Sequence, residues 1–299
     1  MTKDSTKIGL FAALASYSIW GLIALYWRLM AQASSVEILA HRIVWSFVFI
    51  IGILFFQRQI GKTLLLIKDM LKAPVATRAW ILLLATLFAS ANWLINIMGV
   101  NTGHVVELSL GTFLTPIATM TIGLVFFAEK VSRLRKIAIA FAVLGVAVLI
   151  GGLDRFPWYA LSVSVTWATY GALKKMIVID PMKSVAIEHL LMFFPAFLFL
   201  LYGAQGLYWG RFEDGFQTGL SWYLLGTGIV TSVPMILFSL AAQKLPMTVL
   251  GIIQFLSPVI TFFLGIFVFQ EAVTTAESLA LACILVAVSL YIVGGLKKV

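Results

Sequence analysis

Charged residues are scarce in this sequence. Asp, Glu, Lys and Arg make up 11% of its 299 residues, whereas hydrophobic residues make up 62%. A soluble domain carries about 25% charged residues. A chain this apolar cannot cover a water-facing surface, so the composition excludes an ordinary soluble protein and indicates that lipid is its main solvent. The net charge of +9 does not indicate nucleic-acid binding, because the charges lie in short segments between apolar runs.

The sequence has only one cysteine and none of the common catalytic motifs. The single cysteine, Cys283, lies in an apolar run, which excludes a disulfide framework and a CxxC motif. There is no GxxxxGKS/T motif for ATP, and no GxSxG, HExxH or paired-carboxylate arrangement. The histidines are not spaced as metal ligands. We therefore predict that the chain is not an enzyme and that it has no metal and no cofactor.

What the sequence does contain is a series of long apolar segments. About 20 apolar residues are needed to cross a bilayer, and ten segments come close to that length. We therefore predict an all-α integral membrane protein with ten transmembrane helices. The first segment is too long for a signal peptide and lacks a small-residue cleavage site, so we expect it to be retained. The segments lie near residues 8–27, 37–56, 79–100, 105–127, 135–153, 157–173, 185–203, 221–242, 247–269 and 276–295.

The basic residues predict an orientation. If the N-terminus is inside, 17 Lys and Arg residues lie in cytoplasmic segments and 3 outside, with Arg42 within a span. Because basic residues concentrate on the cytoplasmic side, we expect both termini in the cytoplasm. The protein should be a multi-pass protein of the cell inner membrane.

The chain also repeats itself. FLTPIATMTIGLVFFAEKV (113–131) and FLSPVITFFLGIFVFQEAV (255–273) are identical at 8 of 19 positions. Trp20 likewise matches Trp167, and Glu37 matches Glu188. We predict two five-helix units, residues 1–153 and 154–299, of which the second is inverted because five is odd. Inverted repeats are typical of transporters that alternate access to a central site; duplication without a transport role is the alternative.

Five segments form a recognisable pattern: ASYSIWG (15–21), EILAHRIVWS (37–46), NW (92–93), ELSLGTFLTP (107–116) and LGIIQFLSP (250–258). They resemble the RarD family of bacterial permeases, in the EamA branch of the drug/metabolite transporter superfamily. The match is spread over nearly the whole chain, and EILxHRxxWS is its most specific motif. The resemblance implies ten helices in two inverted units and transport of small solutes, often export. The family name is linked to chloramphenicol sensitivity, but the physiological substrate is poorly defined.

These observations together predict a permease that moves a small organic solute, such as an amino acid or a related metabolite. Spans 1, 3, 4, 6, 8 and 9 should line its central cavity. Coupling to protons and transport without coupling both stay open, as does the oligomeric state. The alternatives are a drug permease or efflux protein that affects chloramphenicol sensitivity and, from another class, an intramembrane receptor or enzyme. The expected partners are the solute and membrane lipid, and no nucleic acid.

Three polar residues near the start of the second span are predicted to form a gate or proton relay. Glu37 and His41 share a helical stripe, and Arg42 lies about 100° around from His41. Charges inside a bilayer are costly and usually face a cavity or a partner. Ser34 and Glu37 also have capping-box spacing, so Glu37 alternatively holds the helix start. A structural ion pair of Arg42 with Glu37 or Glu107 is the second alternative.

Aromatic and amide side chains in spans 1 and 3 are predicted to contact the solute. Tyr17 and Trp20 lie too deep in the first span to be interfacial anchors. Asn92 and Asn96, beside Trp93, cannot face lipid without losing their hydrogen bonds. Helix packing and interhelical hydrogen bonding are the alternatives for these five residues.

The repeated segment places a proline at matched positions in two helices. Proline removes a backbone hydrogen bond and bends a helix, so Pro116 and Pro258 are predicted hinges. Glu129 ends the same helix as Pro116 and is expected to be a solvated or salt-bridged terminus. The two segments also supply predicted solute contacts, which are Ser109, Phe113, Gln254 and Phe255.

Overall fold

The structure is a computed structural model that describes residues 3–72, 76–102, 104–151, 156–177, 179–268, 270 and 275–296. Over these residues the chain forms α-helices, one short 3-10 helix and turns, and no strand. A helix satisfies its own backbone hydrogen bonds, which a lipid interior requires. The helices are α1 (Lys3–Arg28), α2 (Ser35–Phe56), α3 (Ile60–Met70), α4 (Ala76–Asn101), α5 (Val105–Val125), α6 (Arg133–Ile150), α7 (Trp158–Met176), α8 (Pro181–Tyr202), α9 (Leu207–Asp214), α10 (Leu220–Lys244), α11 (Met247–Gln254), α12 (Leu256–Phe267) and α13 (Thr275–Leu296).

Eight helical segments of the described chain are long and apolar enough to cross a membrane. Each coincides with one of the ten segments predicted from the sequence, so those eight helices are confirmed as candidate spans. The segments are Asp4–Arg28, Ser35–Phe56, Thr77–Gly99, Glu107–Val125, Pro181–Tyr202, Leu220–Lys244, Met247–Phe267 and Thr275–Gly294.

The other two predicted spans are helices with more polar composition. α6 has 18 residues, and three of them are the basic residues Arg133, Arg135 and Lys136. α7 carries Lys174 and Lys175 in its last turn and several Ser and Thr residues along its length. The ten-span count therefore stays a prediction, as does the boundary between the two units, which falls outside the described residues.

Two short helices occupy segments that the sequence pattern left as links. α3 lies between α2 and α4, and α9 lies between α8 and α10. The chain enters α9 and α10 through Gly206 and Gly219, whose φ angles of 81° and 85° are left-handed. Glycine adopts this conformation without a steric penalty. These turns allow α9 to pack on the ends of α8 and α10.

The long helices pack in a pattern that is nearly unchanged when residues 3–150 and 158–296 are exchanged. α1 packs on α10 and α12, and its counterpart α7 packs on α4 and α5. α6 packs on α13, α5 on α11, and α2 on α8, which are counterparts of one another. The packing of α2 on α10 is more extensive than that of α8 on α4, so the exchange is approximate.

Buried side chains form two main clusters that position the site. The larger one joins α1, α2, α4, α7, α8, α10 and α11 and includes Tyr17, Tyr170 and Phe238. The other joins α5, α6, α11 and α13 and includes Met120 and Phe255. Helices α5 and α11 reach both clusters. A cavity lies where these two helices meet α1 and α7.

Candidate solute-binding site

A central cavity of about 230 Å³ lies between α1, α4, α5, α7 and the α11–α12 junction. Seven of its lining residues were predicted from the sequence as solute contacts or hinges. They are Tyr17, Trp20, Asn92, Asn96, Pro116, Gln254 and Pro258. Helix α10, which corresponds to predicted span 8, supplies none of the lining residues named for this cavity.

Aromatic rings form one wall of this central cavity. The Trp20 ring centroid lies 5.4 Å from that of Tyr17 and 5.3 Å from that of Trp167. Phe238 of α10 supports them from behind, with its centroid 5.7 Å from that of Trp20. Trp20 and Trp167 occupy equivalent positions of the two repeats, so the wall combines one indole from each. Such a wall suits an apolar or aromatic part of a solute.

The two asparagines combine lining with helix-to-helix bonding. The Asn92 amide donates to the backbone carbonyl of Val163 at 2.8 Å and to the Thr166 hydroxyl at 3.1 Å. The Asn96 amide donates to the Asn92 carbonyl at 2.8 Å. Asn92 therefore fixes α4 against α7, as the packing alternative required, while both side chains still border the cavity.

Two polar groups beside the cavity are left without partners. The Tyr17 hydroxyl and the Gln254 carbonyl oxygen are buried and form no hydrogen bond within the described part of the chain. The two side chains face each other across the α1–α11 contact. An unpaired buried polar group costs about 1–3 kcal/mol. Each group is the nearest potential partner of the other, and both residues border the cavity.

The two predicted hinges have different local structures. α11 ends at Gln254 and α12 begins at Leu256, because Pro258 has no N–H to donate to the Gln254 carbonyl. α5, in contrast, continues through Pro116 without a break. The helices approach closely there, since a Cβ placed on Gly251 would lie 2.7 Å from the Pro116 carbonyl oxygen.

Ser109 and Phe113 border a second cavity next to the central one. This outer cavity also measures about 230 Å³, and it shares Thr112, Ser257 and Pro258 with the central cavity. It runs from Pro258 along α12 towards Ile266 and Glu277. The two cavities therefore adjoin along one path, with the predicted polar contacts distributed between them.

Two predicted solute contacts lie elsewhere. Phe255 is fully buried among Met120, Ile252 and Ile284, in the cluster between α5 and α13. Trp93 borders a different, mostly apolar cavity of about 730 Å³ between α2, α4 and α8. Side chains one residue apart on a helix point about 100° apart, so neither residue shares the direction of its cavity-lining neighbour, Gln254 or Asn92. We therefore leave both out of the proposed solute site.

Glu37 and His41 are enclosed by protein. The predicted capping box of Ser34 and Glu37 is confirmed, and the Glu37 carboxylate also accepts from Arg211 of α9 at 2.8 Å. His41 is buried, and its Nδ1 accepts from the Trp45 indole at 3.1 Å. The His41 ring centroid lies 5.0 Å from that of Phe212 of α9. Both residues thus hold α9 onto the first turns of α2, and their role as a gate or proton relay stays a prediction.

Arg42 makes neither of the ion pairs considered from the sequence. Its Nε donates to the Thr231 hydroxyl of α10 at 3.1 Å. Its guanidinium carbon lies 4.9 Å from the ring centroid of Trp27 and 5.3 Å from that of Trp93. Glu37 is paired with Arg211 instead, and Glu107 accepts from the backbone N–H of Tyr159.

A buried ion pair in the second half was not predicted. Lys174 and Glu188 are both fully buried and bonded to each other, and Glu188 also accepts from Tyr170 at 2.9 Å. The sequence signal was present, because Glu188 matches Glu37 in the repeat and lies two turns into an apolar helix. Lys174 directly follows the predicted sixth span, where a basic residue is expected to face the cytoplasm. A buried acidic partner was therefore not predicted for it.

Glu129 was expected to be a solvated or salt-bridged terminus, but its main contacts are hydrogen bonds to the start of α11. Its carboxylate accepts from the backbone N–H groups of Met247 and Thr248, at 2.6 and 2.9 Å, and from the Thr248 hydroxyl at 2.8 Å. It therefore caps the first turn of α11 and ties the end of α5 to it, where a carboxylate is favoured by the helix dipole. Its repeat counterpart, Glu271, lies outside the described residues.

Comparisons with known proteins agree with this architecture. The model of the EamA-like transporter family matches the chain twice, at residues 7–151 and 157–293. Protein RarD of Streptomyces exfoliatus is 35% identical over 274 residues, covering 90% of this chain and 83% of that protein. The uncharacterized transporter YojE of Bacillus subtilis is 32% identical over 295 residues, covering 97% and 95%.

A solved crystal structure has the same fold, with a TM-score of 0.70 at 16% sequence identity and full coverage of both chains. The resemblance to RarD found in the sequence is confirmed by the relatives, as are the transporter class and the membrane location. The chain belongs to the EamA-like transporter family and is a RarD-type, multi-pass permease of the inner membrane.

Proposed function

We propose that the protein moves a small organic solute, such as an amino acid or a related metabolite, by alternating access through the central cavity. The observation that carries this proposal is the pair of buried polar side chains, Tyr17 and Gln254, which border the cavity beside the Trp20 wall. Drug-sized ligands occupy pockets of about 300–1,000 Å³. A central cavity of about 230 Å³ is smaller, which favours a metabolite.

The proposed architecture is ten transmembrane helices in two inverted five-helix repeats, with both termini in the cytoplasm. Three observations support it. The family model matches each half separately, the packing of α1, α5 and α6 is repeated by α7, α12 and α13, and basic residues concentrate on one predicted side. In this arrangement α6 and α7 cross the membrane with their basic residues at the cytoplasmic ends.

In this orientation the structure represents an outward-facing form. Glu129 joins the cytoplasmic end of α5 to the start of α11, which closes the path on that side. The outer cavity continues from Pro258 towards Glu277, away from Glu129. Movement at the α11–α12 break then closes the outer path and releases the contact at Glu129, as expected of inverted-repeat transporters.

A solute screen in liposomes tests the proposal. Purified protein is reconstituted, and uptake of radiolabelled amino acids, purines, sugars and chloramphenicol is measured with and without a pH gradient. A solute that uses the cavity should show saturable uptake that Gln254→Leu reduces about tenfold or more, since one buried hydrogen bond is lost.

The matched control is Gln243→Leu. Gln243 donates to the Ile179 carbonyl at 2.9 Å and does not line the cavity. Equal loss of uptake in both variants would show that Gln254 acts through folding alone. Saturable uptake that is indifferent to Gln254→Leu would remove the cavity from the transport path.

A second candidate is a drug permease that affects chloramphenicol sensitivity. The paired Trp20 and Trp167 indoles suit the nitrophenyl ring of that compound. The same liposomes distinguish the two functions, because saturable chloramphenicol flux without metabolite flux would favour the drug permease. The response of the uptake to the pH gradient would decide whether protons are coupled.

A further inference from the structure

Arg42 carries a positive charge that is fixed in position without an acidic partner. Its side chain extends from α2 between α1, α4 and α10, where it is held by the Thr231 hydroxyl and by the rings of Trp27 and Trp93. Thr231 is 1% exposed and Trp93 is 7% exposed, so these contacts lie inside the helix bundle. The position of this guanidinium is therefore determined by three separate helices.

The nearby acids are occupied by other groups. Glu37 bonds Arg211 and the Ser34 backbone, and Glu188 bonds Lys174. Within the described residues Arg42 takes part in no ion pair, and its only hydrogen bond is the one from Nε. Neither of its two Nη groups donates a hydrogen bond within the described residues.

This arrangement is unusual for a charge inside a bilayer. Intramembrane cations normally pair with an acid or line a polar path, because an isolated charge is costly there. A cation–π contact contributes only about 0.5–2 kcal/mol, so two indoles compensate part of that cost. A bound anion would provide the remainder. The planar fork of two Nη groups matches a carboxylate, which it can bind through two parallel hydrogen bonds.

The Arg42 group does not line the central cavity but lies further along α1 and α4, two of the helices that do. Trp93, on one side of the guanidinium, borders the separate cavity between α2, α4 and α8. Trp27, on the other side, lies seven residues after Trp20, which is about 10 Å along a helix. A solute with its body against Trp20 would have to extend one to two helical turns along α1 to reach Arg42.

We propose that Arg42 is an anion subsite for the solute, and that the solute is a small monocarboxylate with an apolar or aromatic body. The proposal rests on the permease function proposed above. A single guanidinium between two indoles, with no second described cation in these contacts, suits one negative charge better than the two charges of a phosphate. The Trp20 wall and the unpaired Gln254 and Tyr17 groups would hold the remainder of the molecule.

The test compares carboxylates with isosteric amides on the purified full-length protein in detergent. Phenylacetate, benzoate and 3-phenylpropionate are each paired with their amide, and the unfolding midpoint is followed by tryptophan fluorescence at constant ionic strength. We expect at least one carboxylate to raise the midpoint by several degrees while its amide does not. Arg42→Gln should abolish that difference. Arg135→Gln is the matched control and should retain the difference between carboxylate and amide. Arg135 also lies over an aromatic ring, that of Tyr291, but it belongs to α6, away from Arg42.

Three results would overturn the subsite. They are equal shifts from carboxylate and amide across the series, a difference that persists in Arg42→Gln, and equal stabilisation by chloride or phosphate at the same concentration. If Arg42→Gln does not fold, phenylglyoxal labelling of the unaltered protein is read by mass spectrometry. Phenylacetate should then slow labelling of Arg42 several-fold relative to phenylacetamide, and equal labelling rates would also overturn the proposal.

The outcome separates this subsite from the permease function. Carboxylate binding without any flux in liposomes would keep the Arg42 subsite and remove the proposed transport. Flux that shows no preference for carboxylates would keep the permease and remove the subsite.

Discussion

The buried pair of Lys174 and Glu188 allows a quantitative test of how this helix bundle holds charge. Both side chains are 0% exposed. Glu188 also accepts from the Ser184 hydroxyl at 3.2 Å and from the Tyr170 hydroxyl at 2.9 Å. Lys174→Met keeps most of the aliphatic stem but removes the counter-charge. The remaining carboxylate would then have two neutral donors and no water, and breaking a buried pair in this way costs about 3–5 kcal/mol.

We therefore expect Lys174→Met to lower the free energy of unfolding by about 3–5 kcal/mol. The double variant Lys174→Met, Glu188→Gln should recover about 2 kcal/mol or more of that loss, because it removes the uncompensated charge but keeps an acceptor for Tyr170 and Ser184. The measurement is equilibrium unfolding in mixed micelles, followed by tryptophan fluorescence.

The control is the same substitution in an exposed ion pair. Lys72 bonds Asp69 at 2.9 Å, and their side chains are 62% and 65% exposed. Exposed pairs contribute about 0–1 kcal/mol, so Lys72→Met should change the stability little. If Lys174→Met costs no more than Lys72→Met, or if the double variant is as unstable as the single one, the reasoning from buried charge is refuted.

Three further predictions concern the cavity. Pro258→Ala restores an N–H that can donate to the Gln254 carbonyl, so it should straighten the α11–α12 break. Solute uptake should then slow, while membrane insertion and the helicity measured by circular dichroism stay unchanged. Unaltered uptake would show that Pro258 is not a hinge. Gly251→Ala places a Cβ 2.5 Å from Met120 Cγ and should lower the free energy of unfolding by about 1–3 kcal/mol. Gly52→Ala is the control and should change it little, because no atom lies within 4 Å of the added Cβ. Similar losses in both variants would contradict the close packing of α11 on α5. In a cysteine-free background, a cysteine replacing Asn96 should react with a membrane-impermeant maleimide, whereas a cysteine replacing Phe255 should not. If neither cysteine reacts, Asn96 is a helix-packing residue and does not face a water-filled cavity.

Two buried acids occupy equivalent places in the repeats but have different partners. Glu37 is joined to Arg211 of α9, and Glu188 is joined to Lys174 of α7. Their positions near the starts of α2 and α8 place them at opposite ends of the bundle in the proposed topology. Each of the two carboxylates is paired with a different cation, and both cations, Arg211 and Lys174, lie in the second half of the chain.

The sequence by itself determined the class of this protein and most of its cavity-lining side chains. Scarcity of charge excludes a water-facing fold, and apolar runs of about 20 residues lead directly to spanning helices. The polar and proline residues inside those runs had to face protein or water, because lipid cannot satisfy them. For that reason Asn92, Asn96, Gln254 and Pro258 could be selected as lining residues without a structure.

The tertiary structure alone decided which residues meet. Arg211 and Glu37 are separated by 174 positions, and no local pattern relates them. Phe255 and Trp93 each lie next to a cavity-lining residue, but a rotation of about 100° per residue directs them elsewhere. A hydropathy pattern indicates that a polar side chain inside a span is buried among helices. Which residue it contacts depends on how those helices pack. Arg42 shows this most clearly, because its three contacts come from three helices, and its lack of an acid is visible only when all of them are in place.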